Sequence, residues 1–497
     1  MKKRRIISAL LVYTLSLLAA CGAEETSGNE QTQPNNQSSD DTSSGIETEL
    51  SRENTPDSLP DDLDFDGLSI RLAYANDIRY PEFIQELAAE YSGDIVDDAI
   101  YERNRMIEDR LNVIIETVPV GTDASTNAAA VRSSVMAGSD DYDIISGSQW
   151  AILPQSLEGL YQNLIDNKYI DLTQPWWWSD YIDELRIGDN AYYFLNGDLS
   201  LTSIQNKSCI FFNKDMLESI GTTVDELYQL VLDGNWTYDE LENYTKLAYS
   251  DLNGDGIRDE DDRYGAYIRT STEPDHLTYT AGNVMTSRDS AGIPSLNVNT
   301  EYFIGYMEEL YNYYYNNEGV YITEEETIMN QRFAEGNSLF LISRFVSANS
   351  LREMTAEYGI IPYPKYSDEQ EYSSLVHDSS TIFAIPVTVT HYDEISATLE
   401  ALCAQSYRTV IPAYYEMALK TKYVSDSTSG EIIDMIKNAA KTDFVYAYNY
   451  ALSGAGLICR TMINNKSTDF ASTWASIEAG AEQGLKELIE LYEQLED

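Results

Sequence analysis

The stretch DLNGDGIRDEDD places oxygen-bearing side chains at alternate positions of a short loop. Gly256 lies in its middle, where a loop of this kind turns sharply. Calcium prefers about six to eight hard oxygen ligands at flexible distances, and alternate residues of a tight loop supply them. The sequence therefore predicts a calcium site whose ligands are Asp251, Asn253, Asp255, the carbonyl of Ile257, Asp259 and Asp262. An acidic turn that binds no metal is the alternative.

Two positions of this loop depart from the usual EF-hand pattern. The last ligand is Asp262 instead of Glu, and Arg258 stands where an aliphatic residue is common. Both departures resemble the loops of dockerins, which carry the loop twice, whereas this chain has it once. We therefore expect one structural calcium ion within a larger lobe, and not a dockerin module.

The N-terminus carries a second reactive group, the thiol of Cys21. Four positive charges precede an apolar stretch from Ile6 to Leu18, which is typical of a secretory signal peptide. This stretch is shorter than the roughly 20 residues of a membrane-spanning helix. The following Leu-Ala-Ala-Cys resembles the bacterial lipobox, in which the cysteine is acylated and becomes the new N-terminus. We expect residues 1–21 to form a lipoprotein signal peptide with its lipobox, which is cleaved before Cys21 so that the lipidated Cys21 becomes the N-terminus. An ordinary signal peptide or an uncleaved span is the alternative.

Charge and cysteine content limit the classes of partner. The chain has 32 basic and 83 acidic residues and a net charge of −51, which excludes nucleic acid and anionic lipid headgroups as favoured partners.

Beyond Cys21, the cysteines are Cys209, Cys403 and Cys459. At most one disulfide is possible among these three cysteines, and the sequence does not show which two would form it. Three buried free thiols are the slightly favoured alternative.

Strands and helices alternate in the body of the chain. Residues 22–64 are polar and acidic, so we expect a disordered tether before a body that starts near Phe65. A strand near 68–74 precedes helices, a strand near 112–118 and another at 142–145, which predicts an α/β fold with a largely parallel sheet. Ligands bind at the carboxyl ends of such strands, which indicates the loops after Ala73 and Ile145. From Tyr392 onward the pattern is mostly helical.

Three adjacent tryptophans, Trp176, Trp177 and Trp178, follow Pro175. Three consecutive indoles cannot all face one core, so at least one is expected in a cleft or at a partner surface, where sugars stack on indole faces. A packed corner between two lobes is an equally good interpretation. Trp236, by contrast, precedes the N-cap residue Thr237 of a helix and is expected to pack at the entry of that helix.

The ordered set of motifs resembles a known family. The leader and tether, YDII at 142–145, PWW at 175–177, FNK at 212–214, NWT at 235–237, the acidic loop, FAEG at 333–336 and GIIPYPK at 359–365 are similar to extracellular solute-binding lipoproteins of bacterial ABC importers, family 1, the carbohydrate type. The resemblance covers about 65–450. It implies an α/β, two-lobed fold of periplasmic-binding-protein type II, with an interlobe ligand cleft and extra C-terminal helices.

This resemblance also implies lobes, partners and ligand residues. Lobe 1 would comprise 65–195 plus 338–388, and lobe 2 would comprise 196–337 plus 389–497. The protein would be a monomer on the extracellular face of the cytoplasmic membrane that binds a sugar and delivers it to permease subunits. The implied ligand residues are led by Trp150 and Arg344, and packing or exposure is the alternative for each: Tyr74, Asn76, Ser148, Gln149, Trp150, Trp177, Trp178, Asp198, Arg344, Tyr414 and Tyr415.

Two other classes of function stay open. An extracellular glycoside hydrolase needs two carboxylates, which 83 acidic residues do not exclude, but the chain lacks a nucleophile elbow, a P-loop and an HExxH pair. The three histidines His276, His377 and His391 are far apart in the sequence. A surface adhesion protein that uses the calcium loop is the other alternative.

Overall fold

Two separate β-sheets organise the chain. The computed structural model describes residues 52–351, 354–415 and 427–496. The predicted leader, Cys21 and residues 22–51 of the tether lie outside the described residues. Within the described ranges, helices pack around a four-stranded sheet and around a five-stranded sheet. The remaining strands form two short two-stranded ribbons.

The first sheet has the strand order β12-β3-β1-β2. Strand β1 pairs in parallel with β2 and β3, and β12 runs antiparallel to β3. Because parallel neighbours need a crossover, helices connect them, which is the βαβ pattern that the sequence predicts. The strands are Leu68–Ala75 (β1), Val113–Val120 (β2), Ile144–Ser148 (β3) and Thr381–Ala384 (β12).

The second sheet has the order β10-β4-β9-β5-β8. Strand β5 is parallel to β8 and β9, whereas β4 is antiparallel to β9 and β10. Its strands are Ser208–Asn213 (β4), Tyr264–Ile268 (β5), Val320–Ile322 (β8), Ser338–Arg344 (β9) and Tyr358–Ile361 (β10). The ribbons are Thr286–Arg288 (β6) with Pro294–Leu296 (β7), and Ser374–Leu375 (β11) with Ala440–Lys441 (β13).

Helices fill the connections and cover both sheets. Those between the strands of the first sheet are Glu82–Ala88, Ile95–Leu111, Ala124–Met136 and Gln149–Ser156. The middle of the chain adds Ser179–Leu185, Leu201–Gln205, Lys214–Ser219, Val224–Leu232, Tyr238–Leu247, Glu273–Thr280, Thr300–Tyr315 and Glu326–Ala334. The C-terminal part has Tyr392–Gln405, a π-helical turn Ser406–Val410, and helices Ser427–Asn438, Phe444–Ala447, Ile458–Asn464 and Phe470–Glu496.

The strand pairing corrects the predicted division into lobes. Residues 338–361 were predicted in the first lobe, but β9 and β10 are hydrogen-bonded into the second sheet. Conversely, helix Tyr392–Gln405 was predicted in the second lobe, yet it packs against helix Ile95–Leu111 beside the first sheet. Both segments are apolar and fit either core equally well by composition, so the sequence pattern alone does not assign them.

Several segments of the chain pass between the sheets. They include 196–207, which leads from the first sheet to β4, and 374–380, which returns to β12. The stretch that begins at Ser406 beside the first sheet also leads to helix Ser427–Asn438 on the second, and its residues 416–426 lie outside the described ranges. Leu195 bridges to Phe383, and Lys207 bridges to Val376, so the first two passages run side by side. Together they join the two lobes.

The end of the predicted tether packs on the body. Asp57 forms ion pairs with Arg110 and Arg408, and Leu59 is only 6% exposed. Ser58 donates to a carboxylate oxygen of Glu400 at 2.7 Å. Residues 52–64 are therefore part of the folded body, which corrects the predicted boundary at 64.

The terminal helix buries the apolar face that its sequence predicts. Ala481, Leu485, Leu488 and Tyr492 are buried, and the helix packs against helix Thr300–Tyr315, where the Phe303 and Phe470 rings stack at 4.7 Å. Across the described residues, the search for a helix with the length and apolarity needed to cross a bilayer finds none.

Gly265 in β5 lies where the second sheet approaches the backbone of helix Tyr238–Leu247 closely enough to exclude a side chain. A Cβ atom at this position would lie 2.1 Å from the backbone oxygen of Thr245. We expect Gly265→Ala to reduce the free energy of unfolding by about 2 kcal/mol, because either the strand or the helix must move. The control is Gly305→Ala, where the added Cβ meets only Tyr366 Oη at 3.7 Å and helix propensity improves. Equal urea midpoints for both variants would contradict the prediction.

Candidate functional site

A cavity of about 440 Å³ lies between the two sheets. We call it the interlobe cavity. Residues that follow β1, β2 and β3 form one side, and residues at the ends of β5 and β9 form the other, with the 374–380 passage between them. It is lined by Asp77, Arg79, Tyr80, Glu82, Phe83, Asp123, Ala124, Ser125, Ser148, Trp150, Arg269, Thr272, Glu326, Arg344, His377 and Ser379. The cavity thus gathers the carboxyl ends of strands from both sheets.

Trp150 and Ser148 lie where the sequence predicts them. Trp150 stands in the first turn of helix Gln149–Ser156, and its side chain is 42% exposed toward the cavity. Ser148 ends β3, and its buried Oγ has no hydrogen-bond partner among the described residues. A large apolar ring and a buried polar atom without a partner are therefore adjacent on one wall.

Arg344 lies opposite, at the carboxyl end of β9. Its Nη1 donates to Asn206 Oδ1 at 2.7 Å, and its Nη2 lies 3.7 Å from Glu326 Oε1. Arg269 pairs with the other oxygen of Glu326 at 2.7 Å. Burial opposes ionisation of Glu326, but the two guanidinium groups outweigh it and hold the pKa of Glu326 below its ordinary value. The second-lobe wall is therefore a fixed, charged network.

Acidic side chains line the first-lobe wall. Asp77 pairs with Arg79 at 2.7 Å, and this hydrogen bond lowers the pKa of Asp77. Asp123 caps helix Ala124–Met136 by accepting from the Thr126 amide at 2.8 Å, which lowers its pKa. Burial raises the pKa of Glu82, and the facing carboxylate of Glu326 adds to this effect while Arg344 opposes it. Charges on the second-lobe wall thus shift the pKa of a carboxyl group on the first-lobe wall.

His377 lines the interlobe cavity and stacks on the imidazole of His276, which lies behind the lining. His276 and His377 lie with ring centroids 5.5 Å apart and nearly parallel planes. Burial, followed by the charge of Arg344, holds the pKa of each histidine well below its usual range, so both rings are neutral at pH 7. The His377 Nδ1 and the Ser379 hydroxyl lie 2.8 Å apart. The separation of these histidines in the sequence concealed this contact.

Several predicted ligand residues do not line the interlobe cavity. Tyr74 is buried in β1, and burial raises its pKa; Asn76 is half-buried beyond the cavity lining. Gln149 is fully buried, because its side chain turns inward and accepts a hydrogen bond from Tyr181. Tyr414 is buried behind Tyr415, with ring centroids 5.8 Å apart.

The tryptophan cluster divides between a core and a second cavity. The indole N–H groups of Trp176 and Trp177 both donate to Glu400, at 3.0 and 2.7 Å, so these two rings form a packed corner, one of the two expected arrangements. Trp178 is half-buried and donates to Asp198 at 2.9 Å. Trp177, Trp178, Asp198 and Tyr415 line a cavity of about 610 Å³ that shares no lining residue with the interlobe cavity. We call it the crossing cavity.

The acidic loop 251–262 connects helix Tyr238–Leu247 to β5. Its carboxylates accept hydrogen bonds from the loop's own backbone: Asp251 from Gly254 and Gly256, and Asp255 from Ile257 at 2.7 Å. Asp262 is buried and accepts from the Leu252 amide at 3.2 Å. In the part of the chain that the structure describes, no three His, Cys, Asp or Glu side chains converge as metal ligands. The turn at Gly256 fits the predicted loop, but the carboxylates are not gathered around one point.

All three cysteines of the described body are buried free thiols, namely Cys209, Cys403 and Cys459. This confirms the favoured of the two interpretations of these residues. Burial raises the pKa of each thiol, so none is a reactive thiolate at neutral pH.

Sequence comparisons find no counterpart for this chain. No protein-family model matches it. No curated protein matches it either.

Comparison of structures does find similar folds. An ABC substrate-binding protein from Listeria monocytogenes in complex with cycloalternan has a TM-score of 0.53 and 11% identity, covering 86% of this chain and 99% of that one. The GacH receptor of Streptomyces glaucescens, solved unliganded and with acarbose, has a TM-score of 0.55 and 11% identity over 85% and 99%. UgpB from Mycobacterium tuberculosis with glycerophosphocholine has a TM-score of 0.53 and 13% identity over 85% and 99%. The chain therefore has the two-lobed α/β fold of the substrate-binding proteins of ABC importers.

Proposed function

We propose that this protein is a solute-binding protein of an ABC importer that captures a carbohydrate in the interlobe cavity. One observation carries the proposal: the exposed indole of Trp150 faces a charged network on the other lobe across the cavity. An indole face stacks on a sugar ring, while carboxylates, guanidinium groups and hydroxyls bind the sugar hydroxyls at its edge. Ser148 Oγ, which has no partner among the described residues, is one such group.

The carbohydrate class is supported by the ligands bound in two similar structures. Cycloalternan and acarbose are held by proteins of this fold, whereas glycerophosphocholine is held by the third. Since identity to all three is low, the fold alone does not choose among such ligands. The choice of a sugar rests on Trp150 and on the charges of the lining, where the three guanidinium groups of Arg79, Arg269 and Arg344 are offset by four carboxyl groups, those of Asp77, Glu82, Asp123 and Glu326.

The N-terminal sequence indicates where in the cell the protein acts. We propose that the protein is exported, acylated at Cys21 and held on the outer face of the cytoplasmic membrane beside its permease. The supporting observations are the charged and apolar leader, its LAAC ending and the fold. Radiolabelled palmitate should label the wild type and not Cys21→Ala.

The test of ligand capture uses the mature chain. A thermal-shift screen over mono- and oligosaccharides should raise the melting temperature with at least one sugar, because a ligand that binds only the folded state stabilises it. Small-angle scattering with that sugar should give a smaller radius of gyration, as expected for lobes that close on a ligand. No shift with any sugar would remove the carbohydrate class. Turnover of an oligosaccharide that depends on one carboxylate would favour the glycoside hydrolase, and binding without compaction would favour the adhesion protein.

Calcium binding by loop 251–262 is part of the proposal and rests on the sequence pattern. We expect the melting temperature to be a few degrees higher in Ca²⁺ than in a chelator, since a ligand at a hundred times its Kd stabilises a fold by about 2.7 kcal/mol. Asp251→Asn should abolish the difference. Asp261→Asn is the matched control, because Asp261 lies in the same loop outside the predicted ligand set. Identical melting curves in Ca²⁺ and chelator would contradict the prediction.

A further inference from the structure

The crossing cavity adjoins two of the passages between the sheets. Asp198, Ile204 and Lys207 come from the 196–207 passage, and Tyr407 and Tyr415 come from the stretch that starts near Ser406. Arg52 enters from the N-terminal segment. None of these residues belongs to the interlobe cavity, so the sugar-binding proposal does not use them.

Positive charge is concentrated in this cavity. Three of the 32 basic residues of a chain with 83 acidic ones, Arg52, Lys207 and Lys437, line it together. Arg52 pairs with Asp198 at 3.0 Å and lies 4.0 Å above the Tyr407 ring. The exposed Asp180 is the other acidic lining residue. The three cations of the crossing cavity thus outnumber its two carboxylates, whereas the three arginines of the interlobe cavity face four carboxyl groups.

Lys207 is the most buried of the three cations. It is 3% exposed, its Nζ donates to the Lys437 carbonyl at 3.0 Å, and it lies 4.4 Å from the Trp178 ring. Burial lowers its pKa to about 7, and repulsion from Lys437 and Arg52 adds to this effect while Asp198 opposes it. A further anion beside Lys207 would stabilise its charged form.

We propose that the crossing cavity is a second ligand site, which binds a small organic anion through its negatively charged oxygens. The oxygens contact Lys207 and Lys437, and the apolar part of the ligand lies against Trp178, Tyr407 and Tyr415. A carboxylate and a phosphate ester share this chemistry, so both are tested. Because the cavity lies beside two passages between the lobes, an anion there contacts segments that connect both sheets.

The experiment is calorimetric titration of the mature wild-type chain with benzoate and, separately, with inorganic phosphate. We expect saturable binding of at least one; benzoate alone identifies a carboxylate, phosphate alone a phosphate ester, and both the shared oxyanion. Lys437→Gln should weaken binding about 10-fold or more, as expected when one charged hydrogen bond is lost. Lys486→Gln removes an exposed lysine from the terminal helix and is the matched control.

Proton uptake distinguishes direct contact with Lys207 from a general effect of charge. At pH 8, benzoate is fully ionised, so any protons taken up on binding come to the protein. The titration is repeated in two buffers of different ionisation enthalpy, and uptake is expected in the wild type and not in Lys207→Met. The other ionisable groups that face this cavity are Arg52, Lys437, Asp180, Asp198, Tyr181, Tyr407 and Tyr415. Trp150→Ala should leave anion binding unchanged. The proposal is overturned if neither anion saturates, or if Lys437→Gln binds as the wild type does.

Discussion

Trp150→Ala is expected to weaken binding of the captured sugar about 30-fold, which corresponds to roughly 2 kcal/mol for the loss of a central aromatic contact. The indole is the largest aromatic ring on the first-lobe wall of the interlobe cavity, which Tyr80 and Phe83 also line, and alanine removes its stacking face. Because the side chain is 42% exposed, its removal costs little folding energy. Isothermal titration with the sugar found by the screen measures the affinity, and a melting curve checks the fold.

Tyr91→Ala is the matched control for this substitution. Tyr91 is 68% exposed and lies outside the interlobe cavity, where its ring contacts only Tyr101 among the ring pairs of the described residues. It should bind the sugar as the wild type does. If Trp150→Ala also keeps wild-type affinity, the sugar lies elsewhere and the proposed site is wrong.

Glu86→Gln is expected to flatten the dependence of stability on pH. Glu86 is fully buried and accepts hydrogen bonds from Ser146 at 3.1 Å and from the hydroxyls of Thr202 and Thr381 at 3.0 Å. Burial raises its pKa from 4.5 to about 7, although these hydrogen bonds oppose the shift. The protein therefore keeps this carboxyl protonated at pH values where the unfolded chain ionises it. Stability from this group is complete below about pH 4.5 and is lost as the pH rises to about 7.

The size of the effect follows from the shift. A shift of this order corresponds to about 3 kcal/mol at pH 8, and the amide of glutamine carries no such penalty. Urea unfolding of both proteins at pH 5 and pH 8 measures it. Glu400, Asp443 and Asp378 have pKa values raised in the same direction, but they are present in both proteins and cancel in the difference. Glu487→Gln, on an exposed face of the terminal helix, should follow the wild type. A Glu86→Gln protein that loses as much stability as the wild type would contradict the prediction.

Local patterns predicted most of the elements. Alternation of apolar residues located β1, and the helical pattern from Tyr392 onward located the C-terminal helices. Trp236 is fully buried and donates to the Pro362 carbonyl at 3.0 Å, so its predicted role in packing is confirmed. These predictions succeeded because each depends on residues close together in the sequence.

The sequence does not predict which strands pair when they are far apart along the chain. Strand β9 joins the second sheet because it pairs with β4 and β5, and its apolar sequence contains no information about which sheet it enters. The same limit applies to the site. The rule for strand ends indicated the loop after Ile145, beside Trp150, and the family resemblance implied Arg344, whereas Glu82, Glu326 and the His276–His377 stack come together only through packing of distant segments. Glu400 shows the limit most clearly, since a residue more than 200 positions away decides which tryptophans are buried.

The position of β12 has a consequence for how this protein is made. The first sheet has its other three strands by residue 148, but β12, its edge beside β3, is synthesised more than 200 residues later. Until then, the β3 edge offers unpaired backbone groups, and an exposed strand edge recruits other chains. Contacts this distant in sequence also slow folding. The chain is therefore expected to depend on a holding chaperone until β12 has been made and has covered that edge.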